Sequence, residues 1–314
     1  AGPTLSRPCA LGSAGAARQE PRPSRLAPCA GSGRTHSLAA MRPEIADNRA
    51  NWDDRVPLHL ASAFYDVPGF LAGRDTLPQV DVDGVGPVEG KSLLHLQCHF
   101  GLDTLSWARR GARVTGLDFS APAIAAARDL AARAELAARF VEAEVHDALA
   151  ATGGGFDVVF TGVGALVWLP AIRPWARVVA GCLAPGGLVW VREMHPMLYT
   201  IDEQDPEALR VRYPYFETDA PFTEDSPDTY ANDGPDGPGV VAHGRQHCWN
   251  HGVGQLVQAL LDEGLVLEHL GEHRACDWNA LPGRMAQGED GMWRLEAGAD
   301  RIPLMLSLRA RRPG

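Results

Sequence analysis

Lysine is almost missing from this chain of 314 residues: Lys91 stands alone, and arginine supplies the other basic side chains. Acidic residues outnumber basic ones by 39 to 29, which gives a formal net charge of −10. An acidic surface repels the phosphates of DNA, RNA and anionic membranes. We therefore expect neither a nucleic-acid partner nor a membrane partner.

Long apolar runs and closely spaced cysteine pairs are missing too. No stretch approaches the roughly 18 apolar residues of a membrane span, and residues 1–40 lack the apolar core of a secretory signal. The six cysteines contain no CxxC pair, which favours a reducing, cytoplasmic location over a disulfide framework. The composition of residues 1–40 predicts a disordered leader, either a transit peptide or a segment preceding a natural start at Met41.

What the chain does contain is an alternation of strand-like and helix-like stretches between residues 92 and 195. "GKSLLHLQC", "ARVTGLDFS", "ARFVEAEV", "GFDVVFTGVG" and "LVWVREMH" are typical of strands, and the segments between them are typical of helices. This order predicts a parallel sheet covered by helices on both faces. "LVLEHLGEH" and "IPLMLSLRAR" then predict an antiparallel pair at the sheet edge, while residues 41–90 form a helical cap with breaks at Pro57 and Pro68.

Residues 196–250 interrupt the pattern. Their part from 201 to 240 holds eleven acidic residues, two arginines and several aromatic residues among many Pro, Gly and Asp. A long segment without periodicity in a compact domain is usually a lid or a binding loop. We expect this insertion to close over a small-molecule substrate that is neutral or cationic, because the carboxylates would repel an anion.

The stretch "LLHLQCHFGLDT" reads as a strand, a turn and the start of a helix, which is the arrangement of a nucleotide site. Such turns favour glycine because the backbone must approach the ligand closely. Here Gly101 is the one glycine, and Gln97 and His99 stand where small residues are expected. Asp118 ends the next strand, where a carboxylate can accept two hydrogen bonds from a ribose diol.

Together with "VTGLDFS", "FVEAEVHD", "FDVVFTGVGAL" and "LAPGG", this stretch resembles the core of the class I S-adenosylmethionine-dependent methyltransferases over residues 92–195. The wider sequence from about 41 to 312 is similar to a bacterial group with mostly unassigned substrates. The resemblance implies an α/β fold: a doubly wound, mostly parallel seven-stranded Rossmann-like sheet with residues 196–250 as a lid. The chain departs from the family at His95, where an acidic residue is usual, and at Gln97 and His99, where glycines are usual.

The resemblance also implies a cofactor site for S-adenosylmethionine. The loop after the first strand would lie along the methionine part, Asp118 would bind the ribose, and Glu144 and Val145 would read the adenine edge. The implied cofactor-binding residues are Gln97, Cys98, His99, Gly101, Thr104, Asp118, Phe119, Ser120, Glu144, Val145, Gly162 and Val163.

Methyl transfer needs an in-line approach and, for an acceptor that carries a proton, a base. Glu193 and His195 end the fifth strand at its ligand side, and His251 begins a late helix, so these three are the candidate catalytic residues. Each histidine has an alternative, structural interpretation: His195 as a partner of a loop carbonyl and His251 as a helix cap. His243, His247 and His251 are spaced like metal ligands on a helix, but Gly244 argues against that helix, and we predict no metal site.

Three functions remain open at this point. The first is methyl transfer to an O, N or C atom of a small molecule, and the second is a non-catalytic or repurposed S-adenosylmethionine-binding protein, since a fold does not determine a function. A nicotinamide-dependent oxidoreductase is third, because it also uses a strand-end acid, but the G-x-G-x-x-G sequence is missing. We expect an enzyme of the first kind, with no metal and with a homodimer left open.

Overall fold

The computed structural model describes residues 42–205, 208–233 and 239–314, so the predicted leader lies outside the described residues. The described helices are α1 (Pro43–Ala61), α2 (Val67–Leu71), α3 (Gln79–Val85), α4 (Leu102–Arg109), α5 (Ala121–Arg133), α6 (Ala148–Thr152), α7 (Ile172–Cys182), α8 (Pro196–Tyr199) and α9 (Val253–Asp262). The strands are β1 (Ser92–Leu96), β2 (Arg113–Asp118), β3 (Ala138–Glu142), β4 (Phe156–Thr161), β5 (Leu183–Met194), β6 (Phe222–Asp225), β7 (Arg245–Cys248), β8 (Val266–His273), β9 (Met285–Gln287), β10 (Trp293–Leu295) and β11 (Met305–Arg311).

The main sheet has seven strands in the described part of the chain, in the order β3-β2-β1-β4-β5-β11-β8. The first five of these strands are parallel to one another. β11 runs antiparallel to both β5 and β8. The predicted doubly wound sheet with an antiparallel pair at one edge is therefore confirmed.

The central strands form because both of their faces are covered. Leu93, Leu94 and Leu96 of β1 are fully buried, as are Val158 and Val159 of β4. Continuous apolar runs of this kind are typical of strands that lie between two layers of helices. Each fully buried aliphatic side chain contributes about 1.5–3 kcal/mol to folding, so these two strands anchor the sheet beneath the loops that follow them.

Two local predictions were wrong. α1 continues through Pro57 without a break, because its inner face is held along its length by the insertion, for example by Asn48 and His247, which exchange two hydrogen bonds of 2.8 and 2.7 Å. The fifth strand also begins earlier than the predicted "LVWVREMH", because the preceding "LAPGG" residues already belong to β5. There Gly186 N donates to Arg312 O at 2.9 Å, which extends the pairing with the last strand.

The predicted lid carries secondary structure of its own. It contains α8 and a hairpin of β6 and β7, and β7 packs on α1. A second hairpin, formed by β9 and β10, follows β8 and was not predicted. Residues of this second hairpin share a buried cluster with the start of the lid, including Leu198, Ile201 and Met285. No helix in the described ranges is both long and apolar enough to cross a membrane.

Candidate functional site

A cavity of about 370 Å³ lies at the carboxyl ends of β1, β2 and β4. The loops that follow these strands line it, together with Trp52 of α1 and Tyr65. The carboxyl ends of parallel strands are where ligands bind in doubly wound sheets. The volume falls in the range of small-molecule sites, which is about 300–1,000 Å³.

The loop after β1 has the backbone of a glycine-rich loop with larger side chains on it. Gln97 has a φ of 56° and His99 a φ of 51°, in the left-handed region that glycine adopts most easily. A non-glycine residue in this region costs on the order of 1 kcal/mol or more, so the surrounding contacts hold the loop in place. Gly101 has a φ of 81°, and a Cβ there would lie 2.7 Å from the Phe140 ring.

Gln97 joins this loop to the loop after β4 and faces the cavity. Its Nε2 donates a hydrogen bond of 2.9 Å to the carbonyl of Ala165. Its Oε1 is buried and has no hydrogen-bond partner among the described residues. A buried acceptor without a donor is costly, so this oxygen is suited to an N–H group of a bound ligand.

Asp118 fixes the loop from the end of β2. Its Oδ2 accepts a hydrogen bond of 2.8 Å from His99 N, and its Oδ1 accepts one of 2.9 Å from Ser120 N. Burial raises the pKa of the Asp118 carboxyl to about 6, although these amide bonds act in the opposite direction. The carboxylate retains lone pairs toward the cavity that it lines.

His99 connects the loop to the N-terminal cap and the lid. Its Nε2 lies 3.0 Å from Nδ1 of His59, whose Nε2 lies 2.7 Å from the hydroxyl of Thr229 in the lid. Burial lowers the pKa of His99 to about 3 and holds the pKa of His59 well below its usual range, so both rings are neutral near pH 7. Nearby, the hydroxyls of Tyr65 and Tyr230 form a short hydrogen bond.

The cavity brings together most of the residues predicted to bind the cofactor. Those on its wall are Gln97, Cys98, His99, Gly101, Asp118, Phe119, Glu144, Val145, Gly162 and Val163. Thr104 and Ser120 do not line it, and their predicted contact with the cofactor stays a prediction. The Thr104 hydroxyl lies 2.8 Å from Nδ1 of His95, which itself lines the cavity. Ser120 caps α5 by accepting from Ala123 N.

Glu193 supports the backbone of a loop in this structure. It does not line the cavity, and its carboxylate accepts hydrogen bonds from four backbone amides, those of 164, 165, 166 and 194, at 2.6 to 3.0 Å. Burial raises the pKa of this carboxyl, while the amides act against the rise. Glu193 therefore holds the loop after β4 in shape, and its catalytic role stays a prediction that these contacts do not favour.

The two histidine candidates also lie away from the cavity. His195 accepts a hydrogen bond of 3.0 Å from Met197 N as the cap of α8, and its Nε2 lies 2.8 Å from Glu272. His251 lies 2.6 Å from Glu217 and 3.0 Å from the Leu169 carbonyl. Each ring has both nitrogens engaged by the protein, but not in the way that the structural interpretations expected: His195 caps a helix, and His251 contacts loop carbonyls. These contacts favour structural roles, and the catalytic roles of the two histidines stay predictions.

The three regularly spaced histidines have separate partners. His243 pairs with Asp54, and His247 lies between Asp47 and the hydroxyl of Thr223. The segment between them is strand β7 rather than a helix. Within the described ranges, no group of three His, Cys, Asp or Glu side chains is arranged to hold a metal ion.

The predicted lid contributes Tyr230 to the cavity wall. Its other aromatic residues lie elsewhere: Tyr213, Phe216 and Phe222 line a second cavity of about 280 Å³ beside Trp249. The lid therefore reaches the first cavity at one described side chain, while α1 and the segment after α2 cover more of it.

Several residues of the first cavity were missed as site residues. Asp103 follows Gly101 by two positions and accepts a hydrogen bond of 2.5 Å from the Thr76 hydroxyl. Arg192 precedes Glu193 on β5 and forms ion pairs with Asp81 and Asp277. His95 was noted only as a departure from the family. Arg192 could have been predicted as a site residue from its position at the end of β5. Nothing in the local sequence indicates that Asp277 and Trp278 also line this cavity.

Comparison with known proteins agrees with this geometry. Residues 94–189 match the sequence profile of a family described as "Methyltransferase domain". The "Ubiquinone biosynthesis O-methyltransferase" of Cronobacter sakazakii is 35% identical over 105 residues, which are 33% of this chain and 43% of that protein. The protein of the same name from a Caulobacter species is 33% identical over 152 residues, 47% of this chain and 59% of that protein. The chain thus spans about half the length of these relatives.

A solved structure shares the fold at low sequence identity. The geranyl diphosphate C-methyltransferase of Streptomyces coelicolor A3(2) superposes with a TM-score of 0.53 at 13% identity, covering 87% of this chain and 99% of that one. This similarity covers more of the chain than the profile match, which runs from β1 into β5. Residues 94–189 therefore match a methyltransferase domain, and they lie within the seven-stranded sheet described above.

Proposed function

We propose that this protein transfers a methyl group from S-adenosylmethionine to a small-molecule acceptor. One observation carries the proposal: ten residues that the family resemblance assigns to the cofactor line a single cavity at the carboxyl ends of β1, β2 and β4. The name of the two curated relatives, which denotes O-methylation of a small molecule, supports the same class of reaction.

The residues of the cavity suit this cofactor. S-adenosylmethionine supplies an electrophilic methyl group on a sulfonium, together with an amino acid end and an adenosine end. The Gln97 Oε1, which is buried without a partner, would accept from the ammonium of the amino acid end. The Asp118 carboxylate would accept from the ribose diol, and the Glu144 and Val145 wall would face the adenine.

The charges around the remaining wall favour an acceptor that is neutral or cationic. Arg192 is paired with two carboxylates, Asp81 and Asp277, and Asp103 adds a further carboxyl nearby. An anionic acceptor would meet more negative than positive charge at this end of the cavity. Aromatic side chains such as Trp52 and Trp278 also line the wall and would cover a planar acceptor.

Titration calorimetry tests the cofactor first. We expect S-adenosylmethionine and S-adenosylhomocysteine to bind and NADH not to bind, because the pyrophosphate-binding glycine sequence is missing. Binding of NADH alone would overturn the proposal in favour of an oxidoreductase. A screen of phenols, catechols and amines with methyl-labelled S-adenosylmethionine then separates an enzyme from a binding protein, since a binding protein would label none of them.

A cytoplasmic location and a homodimer stay predictions from the sequence. Fractionation of the producing cells and light scattering of the purified chain would check them.

A further inference from the structure

Asp103 is the acidic side chain that the cavity presents beside the end of β4. Its Oδ1 accepts the 2.5 Å hydrogen bond from Thr76. Its Oδ2 makes no hydrogen bond within the described part of the chain and faces Gly162, where a Cβ added to the glycine would be 4.0 Å away. One oxygen is thus held in place by the protein, and the other is open to a ligand.

The neighbourhood of Asp103 contains no second free base of suitable strength among the described residues. Nε2 of His95 faces the same glycine, with 3.7 Å to that Cβ position, but burial lowers the pKa of His95 to about 3. Burial raises the pKa of the Asp103 carboxyl to about 6, while Thr76 acts against the rise. An acid of this strength is largely ionised at pH 7 and can still take up a proton during a reaction.

On the basis of the proposed function, we propose that Asp103 Oδ2 faces the methyl-bearing end of the cofactor and takes the proton of the acceptor. The acceptors would then be those that lose a proton on methylation, namely hydroxyl compounds and amines. The acceptor heteroatom forms a bond to the methyl carbon, the electron pair of the broken carbon–sulfur bond stays on sulfur, and the proton ends on Asp103 before passing to solvent. Every charge is accounted for, because the sulfonium and the carboxylate are both neutral afterwards.

The charged groups around Asp103 determine how its titration can be measured. Other titratable or charged side chains that act on it or face it are Asp75, Asp81, His95, Arg192 and Tyr65. His95 stays neutral above about pH 4, because its pKa is about 3. Asp81 and Arg192 form an ion pair with each other, and Asp75 pairs with Arg110 outside the cavity.

Asp118 is the main competing group, because its pKa is also about 6. It is assigned to the ribose, which S-adenosylmethionine and S-adenosylhomocysteine have in common. The two compounds differ only in the methyl group and the sulfonium charge. The ratio of their dissociation constants therefore cancels Asp118 and reports on a carboxylate near the sulfonium.

The experiment measures both dissociation constants by calorimetry from pH 5 to pH 8. Because ionised Asp103 attracts the sulfonium, we expect the preference for S-adenosylmethionine to rise several-fold, to at most about tenfold, as the pH passes about 6. In Asp103→Asn the ratio should stay flat, with S-adenosylhomocysteine binding within about threefold of the wild type. Asp118→Asn should weaken both compounds and keep the rise, and Asp75→Asn should behave like the wild type.

The outcomes separate this inference from the proposed function. Three results would overturn the role of Asp103 while leaving cofactor binding by the wild type intact. The first is a ratio of the two dissociation constants that does not change with pH in the wild type, and the second is a ratio that still rises in Asp103→Asn. The third is a large loss of affinity for both compounds in that variant. Failure of the wild type to bind either compound would instead overturn the proposed function. Turnover can be measured with the acceptor found in the screen. Asp103→Asn should then lower kcat by about a hundredfold and abolish the acidic limb of the pH profile near pH 6. Full turnover in the variant would exclude Asp103 as the base.

Discussion

Glu193→Gln tests whether this residue supports the cavity or takes part in chemistry. In the wild type, Oε1 accepts from Gly164 N at 2.6 Å and Met194 N at 2.8 Å, and Oε2 accepts from Ala165 N at 2.9 Å and Leu166 N at 3.0 Å. Glutamine has the same shape but only one acceptor oxygen. Its NH₂ group would face two backbone N–H donors and leave both of them buried without an acceptor.

The magnitude follows from those two donors. A buried donor without a partner costs about 1–3 kcal/mol, so the pair costs about 2–6 kcal/mol. The neutral side chain avoids the burial of a charge, which offsets part of this cost. We therefore expect the free energy of unfolding to fall by about 2–4 kcal/mol at pH 7. Affinity for S-adenosylhomocysteine should fall as well, because residues 164 and 165 line the cavity.

Urea unfolding and titration calorimetry at pH 7 measure the two effects. Glu272→Gln is the matched control, since Glu272 is half exposed and has His195 as its partner; that change should cost less than about 1 kcal/mol. The reasoning would be refuted if Glu193→Gln unfolded like the wild type and bound the cofactor normally but had lost its turnover. That result would restore Glu193 to the chemistry.

Three further predictions concern single residues. His195→Ala should keep wild-type turnover and lose about 1 kcal/mol of stability with the cap of α8; a hundredfold loss of turnover in a stable variant would contradict this. Asp118 has a raised pKa of about 6 in the folded state. Between about pH 4 and about pH 6 the folded state therefore holds more protons than the unfolded chain. The free energy of unfolding of the wild type falls as the pH rises through this window. Asp118→Asn should therefore gain stability relative to the wild type across that window in urea unfolding, and a constant difference would show that the pKa is not raised. His99→Gly should be more stable than His99→Ala by about 1 kcal/mol, because glycine adopts the positive φ of this position without strain. Both variants should be less stable than the wild type, because His59 Nδ1 loses its partner. Equal stabilities of the two variants would mean that the loop is unstrained.

The sequence by itself determines the sheet and the place of the cofactor loop. The apolar runs of β1 and β4 require burial on both faces, and Ser120 and Gly101 mark helix boundaries through interactions within a few residues. Asp118 was assigned on the same local grounds, because a residue at the end of a parallel strand must lie at the ligand edge. These features depend on contacts that are close in sequence or on a periodic pattern, and both can be read from the chain.

Which strand-end side chains reach the cavity depends on information that a local pattern does not contain. Arg192 and Glu193 are neighbours at the same strand end, and successive side chains of a strand point to opposite faces. Arg192 lines the cavity, whereas Glu193 turns to the loop after β4. Both faces of β5 carry apolar side chains, so the sequence does not indicate whether Arg192 or Glu193 points toward the ligand.

Only the tertiary structure decides which distant side chains complete the cavity. His59 and Thr229 are 170 residues apart and form a hydrogen bond of 2.7 Å. Asp277 reaches Arg192 across 85 residues, from a segment without any recognisable motif. Such contacts depend on how the cap, the lid and the second hairpin pack on the sheet, and that packing is the summed result of many weak, long-range interactions that no short stretch of sequence encodes.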